Sequence, residues 1–428
     1  MLKLKENSVN IFLAAALIGL GLSFGKIYAF HLIFVVSFIL FPFKKAKYFF
    51  LNKPAFVPFF PALMFLFYFL SMFWAPNVFY AIEYLGYLFF GVAIIYITFF
   101  SINNTKQLKK VFIFLGLVLL LEIIICLLEM YSSFRYPISP YSELVSYFGH
   151  GYKIDLNISS SVKSLILSVP TGFHWNPNNL ATLISLAIPF TLLNTNKWIK
   201  YTGTLLLLLV LGATNSRAGM LSVSIMILYI FFTKFIVSKK AFLVIFGLCL
   251  ALFIIPNKLN PFSSVSNRIS DSIEAVFGMF ENQENTNSLG ARQELMKNAL
   301  DELDNNLWLG TGAGNSKFIQ EKNGKVANKL TSLHNFWLEI VVDVGIVFFL
   351  IFIGWYFLIV NKLFKISVSS DNDSFLSYVA ESSAIALSGL LISAISCSSI
   401  IYFFPFWILL SISLVVLKIP ENKTLNIS

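Results

Sequence analysis

Charged residues are scarce. Asp, Glu, Lys and Arg make up 12% of the 428 residues, against roughly a quarter in soluble domains, and that scarcity excludes a soluble globular protein. Cysteine is scarcer still, with three in the chain. Cys126, Cys249 and Cys397 lie in or at the edge of apolar runs, with no C-x-x-C pair and no metal-ligand spacing. They read as small core residues rather than a disulfide framework or a metal centre. Alternating segments of about ten residues, the mark of a membrane β-barrel, are missing. So is any visible internal repeat, which many secondary-transporter folds carry.

What is present is apolar: 57% hydrophobic residues, 47 Phe and a mean hydropathy of +0.78. Runs of about 20 apolar residues, each enough to cross a hydrocarbon core of ~30 Å, recur over almost the whole length. Lipid admits only helices or closed barrels, so the expected fold is an all-α polytopic integral membrane protein with about twelve transmembrane helices. The candidate spans are 8–25, 27–43, 55–74, 79–100, 110–131, 177–195, 201–214, 218–237, 241–256, 335–361, 376–396 and 401–418. The first follows Lys3 and Lys5 and reads as an uncleaved signal anchor. This divides the chain into a membrane part with nine spans (1–256), a large extracytoplasmic loop (257–334) and a membrane part with three spans (335–428).

The basic residues set the orientation. The N-terminus, alternate short connections and the C-terminal tail hold 18 of the 31 Lys and Arg. The opposite connections and the 132–176 segment hold only Lys26, Arg135, Lys153, Lys163 and Arg217. By the positive-inside rule both termini are expected in the cytoplasm and the long loop outside. The formal charge of +10 is then mostly a topology signal, which argues against nucleic acid as a partner. Within 257–334, Leu295, Met296, Ala299, Leu300, Leu303 and Leu307 are spaced as a loose amphipathic helix, and "GTGAGN" predicts a tight turn.

Several polar residues stand where apolar runs meet the predicted outer surface. Arg217, in "ATNSRAGMLS", either anchors a helix end by snorkelling or meets an anionic ligand, as ionisable groups at membrane depth often do. Arg292 makes a surface salt bridge or a ligand contact. His334 and Asn335 open the stretch "TSLHNFWLEIVVDVGIVFFL". An imidazole there is either an interfacial group bonded to a neighbour or a general base. Glu339 and Asp343 are four apart and share one helix face, which must look into protein or a wet cavity. They either pair with an arginine such as Arg217 or take part in the site. In "TGFHWNPNN", Asn176 and Pro177 suit a helix start. Asn178 and Asn179 then fall in its first turn, either as structural residues or as sugar and phosphate contacts. Glu83, Glu122, Glu129 and Glu381 are scattered single acids.

Four ordered parts between 170 and 360 resemble the O-antigen polymerase and ligase superfamily of bacterial membrane proteins. They are "NPNNLA" at a helix start, "SRAG" at an outer junction, Arg292 upstream of "GTGAGN", and "HN" separated by nine residues from Gly345. The family pattern often continues with Gly, Thr or Tyr where this chain has Phe348. The resemblance implies a GT-C-like membrane fold and an inverting glycosyltransferase that uses neither metal nor other cofactor. It implies transfer of an oligosaccharide from a polyprenyl diphosphate, such as undecaprenyl diphosphate, to an acceptor hydroxyl. Arg217 and Arg292 match the arginines that hold the diphosphate, and His334 matches the proposed acceptor base. Asn335, Asn178, Asn179, Glu339 and Asp343 complete the expected substrate-binding set.

The expected role is polymerisation of surface-polysaccharide repeat units. The alternatives are a ligase that passes finished glycan to a lipid or wall acceptor and, in another class, a flippase or transporter. Expected partners are the lipid-linked donor, the glycan acceptor, the bilayer, and a chain-length regulator or flippase. The expected location is the bacterial inner (cytoplasmic) membrane, with the active site on its outer face.

Overall fold

The computed structural model describes residues 2–52, 55–151, 166–235, 288–323, 331–369 and 373–425. The chain opens with helix α1 (Leu2–Ile18), followed by a short 3-10 turn and a two-stranded hairpin pairing Ser23–Phe24 with Ile27–Tyr28. Helices α2 (Ala29–Ile39), α3 (Phe43–Asn52), α4 (Phe56–Ser71), α5 (Val78–Ser101) and α6 (Thr105–Tyr131) come next. Then follow α7 (Pro177–Leu192), α8 (Thr204–Ala213) and α9 (Arg217–Phe235). Two polar helices, α10 (Ser288–Asn305) and α11 (Asn315–Asn323), precede the last three, α12 (Phe336–Ser367), α13 (Ser374–Ser393) and α14 (Phe404–Leu425).

Five of the described helices are long and apolar enough to cross a membrane: Phe56–Trp74, Val78–Ser101, Thr105–Tyr131, Phe336–Ser367 and Ser374–Ser393. A bent pair, α2 with α3, makes a sixth if it counts as one span. Four more apolar helices, Asn7–Leu22, Ile199–Ala213, Arg217–Thr233 and Phe404–Pro420, are shorter. The described helices thus give five or six full-length spans where the sequence suggests twelve. The expected span 241–256 lies outside the described residues.

Two of the expected runs are interrupted within the described residues. Run 27–43 breaks ahead of Pro42 and turns by 76° into "FKKAKYFFLN", whose lysines oppose continued burial in lipid. Run 8–25 stops helping a helix at Gly19, where φ is +51°, and leaves as the hairpin.

Small side chains put α13 at the centre. Ser382, Ser383, Ala384, Ala386 and Gly389 are buried along it, and α7, α9 and α12 pack against them. Close approach of backbones is how helices associate where lipid is as apolar as the side chains. Neighbouring helices then donate hydrogen bonds into the α13 backbone. Ser222 Oγ reaches the Gly389 carbonyl at 2.7 Å, Tyr356 Oη that of Leu387 at 2.5 Å and Trp337 Nε1 that of Leu391 at 3.0 Å.

Lysine-rich and lysine-poor helix ends make different contacts. At the lysine-rich end Lys418 Nζ donates to the Phe99 and Ile102 carbonyls, and Lys109 lies 5.1 Å over the Phe375 ring. The lysine-poor end is a web of loops. There Gly25 N–H donates to the Phe148 carbonyl at 2.7 Å, Tyr136 Oη to that of Gly21 at 2.7 Å, and Ala313 N–H to Ser71 Oγ at 2.9 Å.

Candidate functional site

One loop at the lysine-poor end, 394–399, gathers three of the sequence motifs. Asn179 Oδ1 accepts from the Cys397 thiol and from the Ser398 N–H, both at 3.1 Å. Burial pushes the Cys397 thiol up to about 12, so it stays protonated and able to donate. Asn176 caps α7 through the Asn178 N–H at 2.8 Å and donates from Nδ2 to Ser398 Oγ at 3.2 Å. Ser216, immediately before Arg217, is buried with its hydroxyl 3.3 Å from that of Ser396. Ser332 Oγ donates to the Ser398 carbonyl, and the Phe336 N–H donates to that of Ala394 at 3.2 Å. Segments 176–179, 214–217 and 332–336 are therefore held around the same backbone.

The expected site residues take distinct places on this frame. Arg217 is exposed at the first turn of α9. His334 sits just before α12 in the left-handed region, with φ +49°, a conformation that costs a non-glycine residue about 1–3 kcal/mol. Its N–H donates to Ser332 Oγ at 3.4 Å. Asn335 is the N-cap of α12, accepting from the Leu338 N–H at 3.3 Å. Asn178 engages through its backbone, its carbonyl accepting from Thr182 Oγ1 at 2.9 Å. The Arg292 backbone belongs to α10, while its side chain lies outside the described part. On that helix Leu295, Ala299 and Leu303 form the buried face against Val341 and Val342 of α12, whereas Met296 and Leu300 stay partly exposed.

Glu339 and Asp343 are both buried on α12 but serve different neighbours. Asp343 Oδ1 accepts the Ser316 N–H at 3.0 Å, so it holds the start of α11. The same region explains "GTGAGN". Gly345, at φ +84° and ψ 165°, breaks the helical path inside α12. The Ile346 N–H then turns from the Val342 carbonyl to that of Trp308, at 3.0 Å. The freed carbonyls of Val342 and Asp343 accept from Thr311 N–H at 2.7 Å and Gly312 N–H at 2.8 Å. The turn replaces the hydrogen bonds that the break removes, as buried backbone groups require. Contact is close: a Cβ on Gly310 would stand 2.5 Å from the Gly345 nitrogen. Glu339 instead lines a cavity of about 750 Å³ beside the 394–399 loop.

That cavity is also walled by His174, Trp175 and Tyr87, which the sequence reading passed over, by Asn179, which it named, and by Glu83 and Lys26, to which it gave no place in the site. Lys26 Nζ meets Glu83 Oε1 at 3.1 Å, and Tyr87 Oη donates to that same oxygen at 2.8 Å. Behind it, two carboxylates of α6 clamp the approach to α7. Glu129 Oε2 accepts the Thr171 and Gly172 N–H groups at 2.8 and 2.9 Å, with Arg135 Nη1 3.6 Å from Oε1. Glu122 Oε1 accepts the Phe173 N–H at 3.0 Å and lies 4.0 Å from His174 Nε2. Burial lowers the His174 pKa to about 4. A signal for this clamp was available: Glu122 and Glu129 are seven apart, two turns along one face of an otherwise apolar helix.

Residues 202–353 match the model of the O-antigen ligase family. The matched stretch runs from the start of α8 through most of α12 and includes Arg217, Arg292, "GTGAGN", His334 and Gly345. The chain is also similar to the teichuronic acid biosynthesis protein TuaE of Bacillus subtilis (strain 168), with 24% identity over 372 residues, covering 85% of this chain and 71% of that protein. "NPNN" and the 394–399 loop lie outside the family match but hydrogen-bond to one another beside it.

Proposed function

We propose that this O-antigen ligase family protein is a glycosyltransferase of surface-polysaccharide assembly, joining repeat units carried on polyprenyl diphosphate at the outer face of the cytoplasmic membrane. The observation that carries the reading is the convergence at the lysine-poor end. The segments bearing Arg217, His334 and "NPNN" bond to one loop beside a cavity of about 750 Å³. By the positive-inside rule that end faces outward.

The chemistry assigns roles. The acceptor hydroxyl oxygen attacks the anomeric carbon of the donor sugar as the bond from that carbon to the diphosphate oxygen breaks. The electron pair leaves with polyprenyl diphosphate, the configuration inverts, and His334 takes the hydroxyl proton. Arg217 and Arg292 meet the growing charge of the leaving group. Guanidinium forks bind phosphate oxygens in pairs, and donors aimed at developing charge lower the barrier most.

A second reading has a specific observation behind it. The matching family is described as O-antigen ligase, which favours transfer of finished glycan to a different acceptor. One assay separates the two. Purified protein receives a polyprenyl-diphosphate repeat unit, with and without a lipid or wall acceptor, and products are resolved by size. Polymerisation gives a ladder without added acceptor, whereas ligation gives product only on the acceptor. Arg217→Ala, Arg292→Ala and His334→Ala should each lower the rate by about 10²-fold or more. Unchanged rates in all three, in well-folded preparations, would contradict the assignment.

A further inference from the structure

The segment that joins α10 to α11 carries an apolar tip. Leu307 is 80% exposed, Leu309 65% and Trp308 38%. Leu307 and Trp308 both adopt the left-handed backbone region, at φ +51° and +61°, which ends α10 and leaves the three side chains uncovered. In water an apolar trio of this kind would stay hydrated, which is unfavourable.

The height of the tip in the membrane follows from α12. Lys362 and Lys365, both exposed near the end of that helix, mark the headgroup level on the lysine-rich side. Gly345 lies about 26 Å back from Lys362 at 1.5 Å per residue, within a hydrocarbon core of ~30 Å. Tilt of the helix only shortens that distance. The tip is bound at this level. The Trp308 carbonyl accepts the Ile346 N–H at 3.0 Å, and a Cβ on Gly345 would stand 2.6 Å from the Leu309 carbonyl oxygen. A Cβ on Gly312 would stand 2.6 Å from that of Ala75, so the segment is wedged between α12 and the end of α4. Val347 and Leu350 of α12 and Phe73 of the Phe56–Trp74 span are exposed apolar side chains. Leu307 and Leu309 continue the surface that these spans offer to lipid.

Lipid admits an irregular segment only where the protein itself satisfies the backbone. The amide groups of the tip meet that condition. The Leu307, Trp308 and Leu309 N–H groups donate to the Asp304, Leu303 and Asn306 carbonyls at 3.4, 2.9 and 3.1 Å. The Trp308 indole N–H donates to Asp304 Oδ1 at 2.9 Å. A tryptophan with its polar edge bonded suits the boundary between headgroups and acyl chains. Asp304 is exposed, and its charge belongs on the headgroup side, which limits insertion to the side chains of 307–309.

We propose that Leu307, Trp308 and Leu309 insert among the acyl chains of the leaflet at the lysine-poor end and moor the α10–α11 segment to the bilayer. The whole of 257–334 was expected outside the membrane, so this lipid contact is made by a loop rather than by a span. It depends on the placement of the tip and not on the transfer chemistry. The anchor fixes the level of α10, the helix whose backbone includes Arg292.

Spin labelling of the full chain in nanodiscs of phosphatidylcholine and phosphatidylglycerol tests the anchor. Leu307→Cys and Leu309→Cys carry the label. Val347→Cys is the lipid reference, and Asp301→Cys, exposed on α10, is the water reference. Identically treated wild-type protein supplies the background from the native cysteines. Collisions with oxygen, which concentrates among acyl chains, are compared with collisions with a water-soluble nickel chelate. Oxygen should dominate at 307 and 309, as at 347, while the chelate dominates at 301. A label at either position that collides mainly with the chelate would place the tip in water and overturn the anchor. A label that meets neither would show the tip covered by protein and overturn it as well. If one variant misfolds, the other decides.

Discussion

At the scale of the residue, neighbours in sequence have different duties. Asn179 Oδ1 accepts two hydrogen bonds from the 397–398 backbone and thiol, while Asn178 engages through its main chain. Asn179→Ala should therefore destabilise the fold by about 1–3 kcal/mol, and Asn178→Ala by much less, read as thermal midpoints in detergent. His174 sets a pH dependence. Its folded pKa, about 4, lies below the ordinary 6.5, so between these values the unfolded chain binds the extra proton. Stability through this group is full above pH 6.5 and declines as pH falls towards 4. The carboxyl group of Glu122, 4.0 Å from Nε2, is the titratable group facing it. His174→Gln should flatten that part of a melting-temperature profile between pH 4 and 7, and an unchanged slope would speak against a buried neutral imidazole. Arg217, His334 and Asn335 were legible as residue types at a predicted helix boundary. The partners of Asn179 were not, because Cys397 and Ser398 lie more than 200 residues away.

At the scale of the element, α12 shows what an apolar run conceals. Its extent was readable from hydropathy, since 335–361 was expected and Phe336–Ser367 is observed. Its break was not, because a lone glycine in a helical pattern is ordinarily tolerated. The break becomes favourable only where the 308–312 segment arrives to pair with the freed carbonyls, and that is a tertiary fact. Gly345→Ala should cost about 3 kcal/mol or more, since its backbone conformation is nearly closed to other residues and a Cβ would meet the Leu309 carbonyl oxygen at 2.6 Å. Gly116→Ala in α6, with nothing within 4 Å, should be neutral or stabilising by up to about 1 kcal/mol. Urea titration or thermal melts of the two variants check the contrast. The α2–α3 bend carries a similar lesson. The lysines of "FKKAKYFFLN" were read as a connection, and they form a helix at 76° to its neighbour.

At the scale of the molecule, the sorting of lysines divides the helix ends into a basic set and a lysine-poor set, and the candidate site belongs wholly to the second. The outward orientation proposed for that end makes a direct prediction. Tyr147 and Trp198, 76% and 81% exposed, lie in connections at opposite ends. In intact cells Tyr147→Cys should react with an impermeant maleimide, while Trp198→Cys should react only after permeabilisation, and the reverse pattern would invert the topology. Where runs that hydropathy reads as continuous are interrupted among the described residues, a bend ahead of Pro42 and a hairpin after Gly19 do it. The measurement that bears most directly on the central claim is the release of polyprenyl diphosphate by the purified wild-type protein, counted against new glycosidic bonds. Equal amounts, both lost in His334→Ala, are the predicted result; glycan bonds without that release, or neither from well-folded wild-type protein with its lipid-linked glycan, would contradict it.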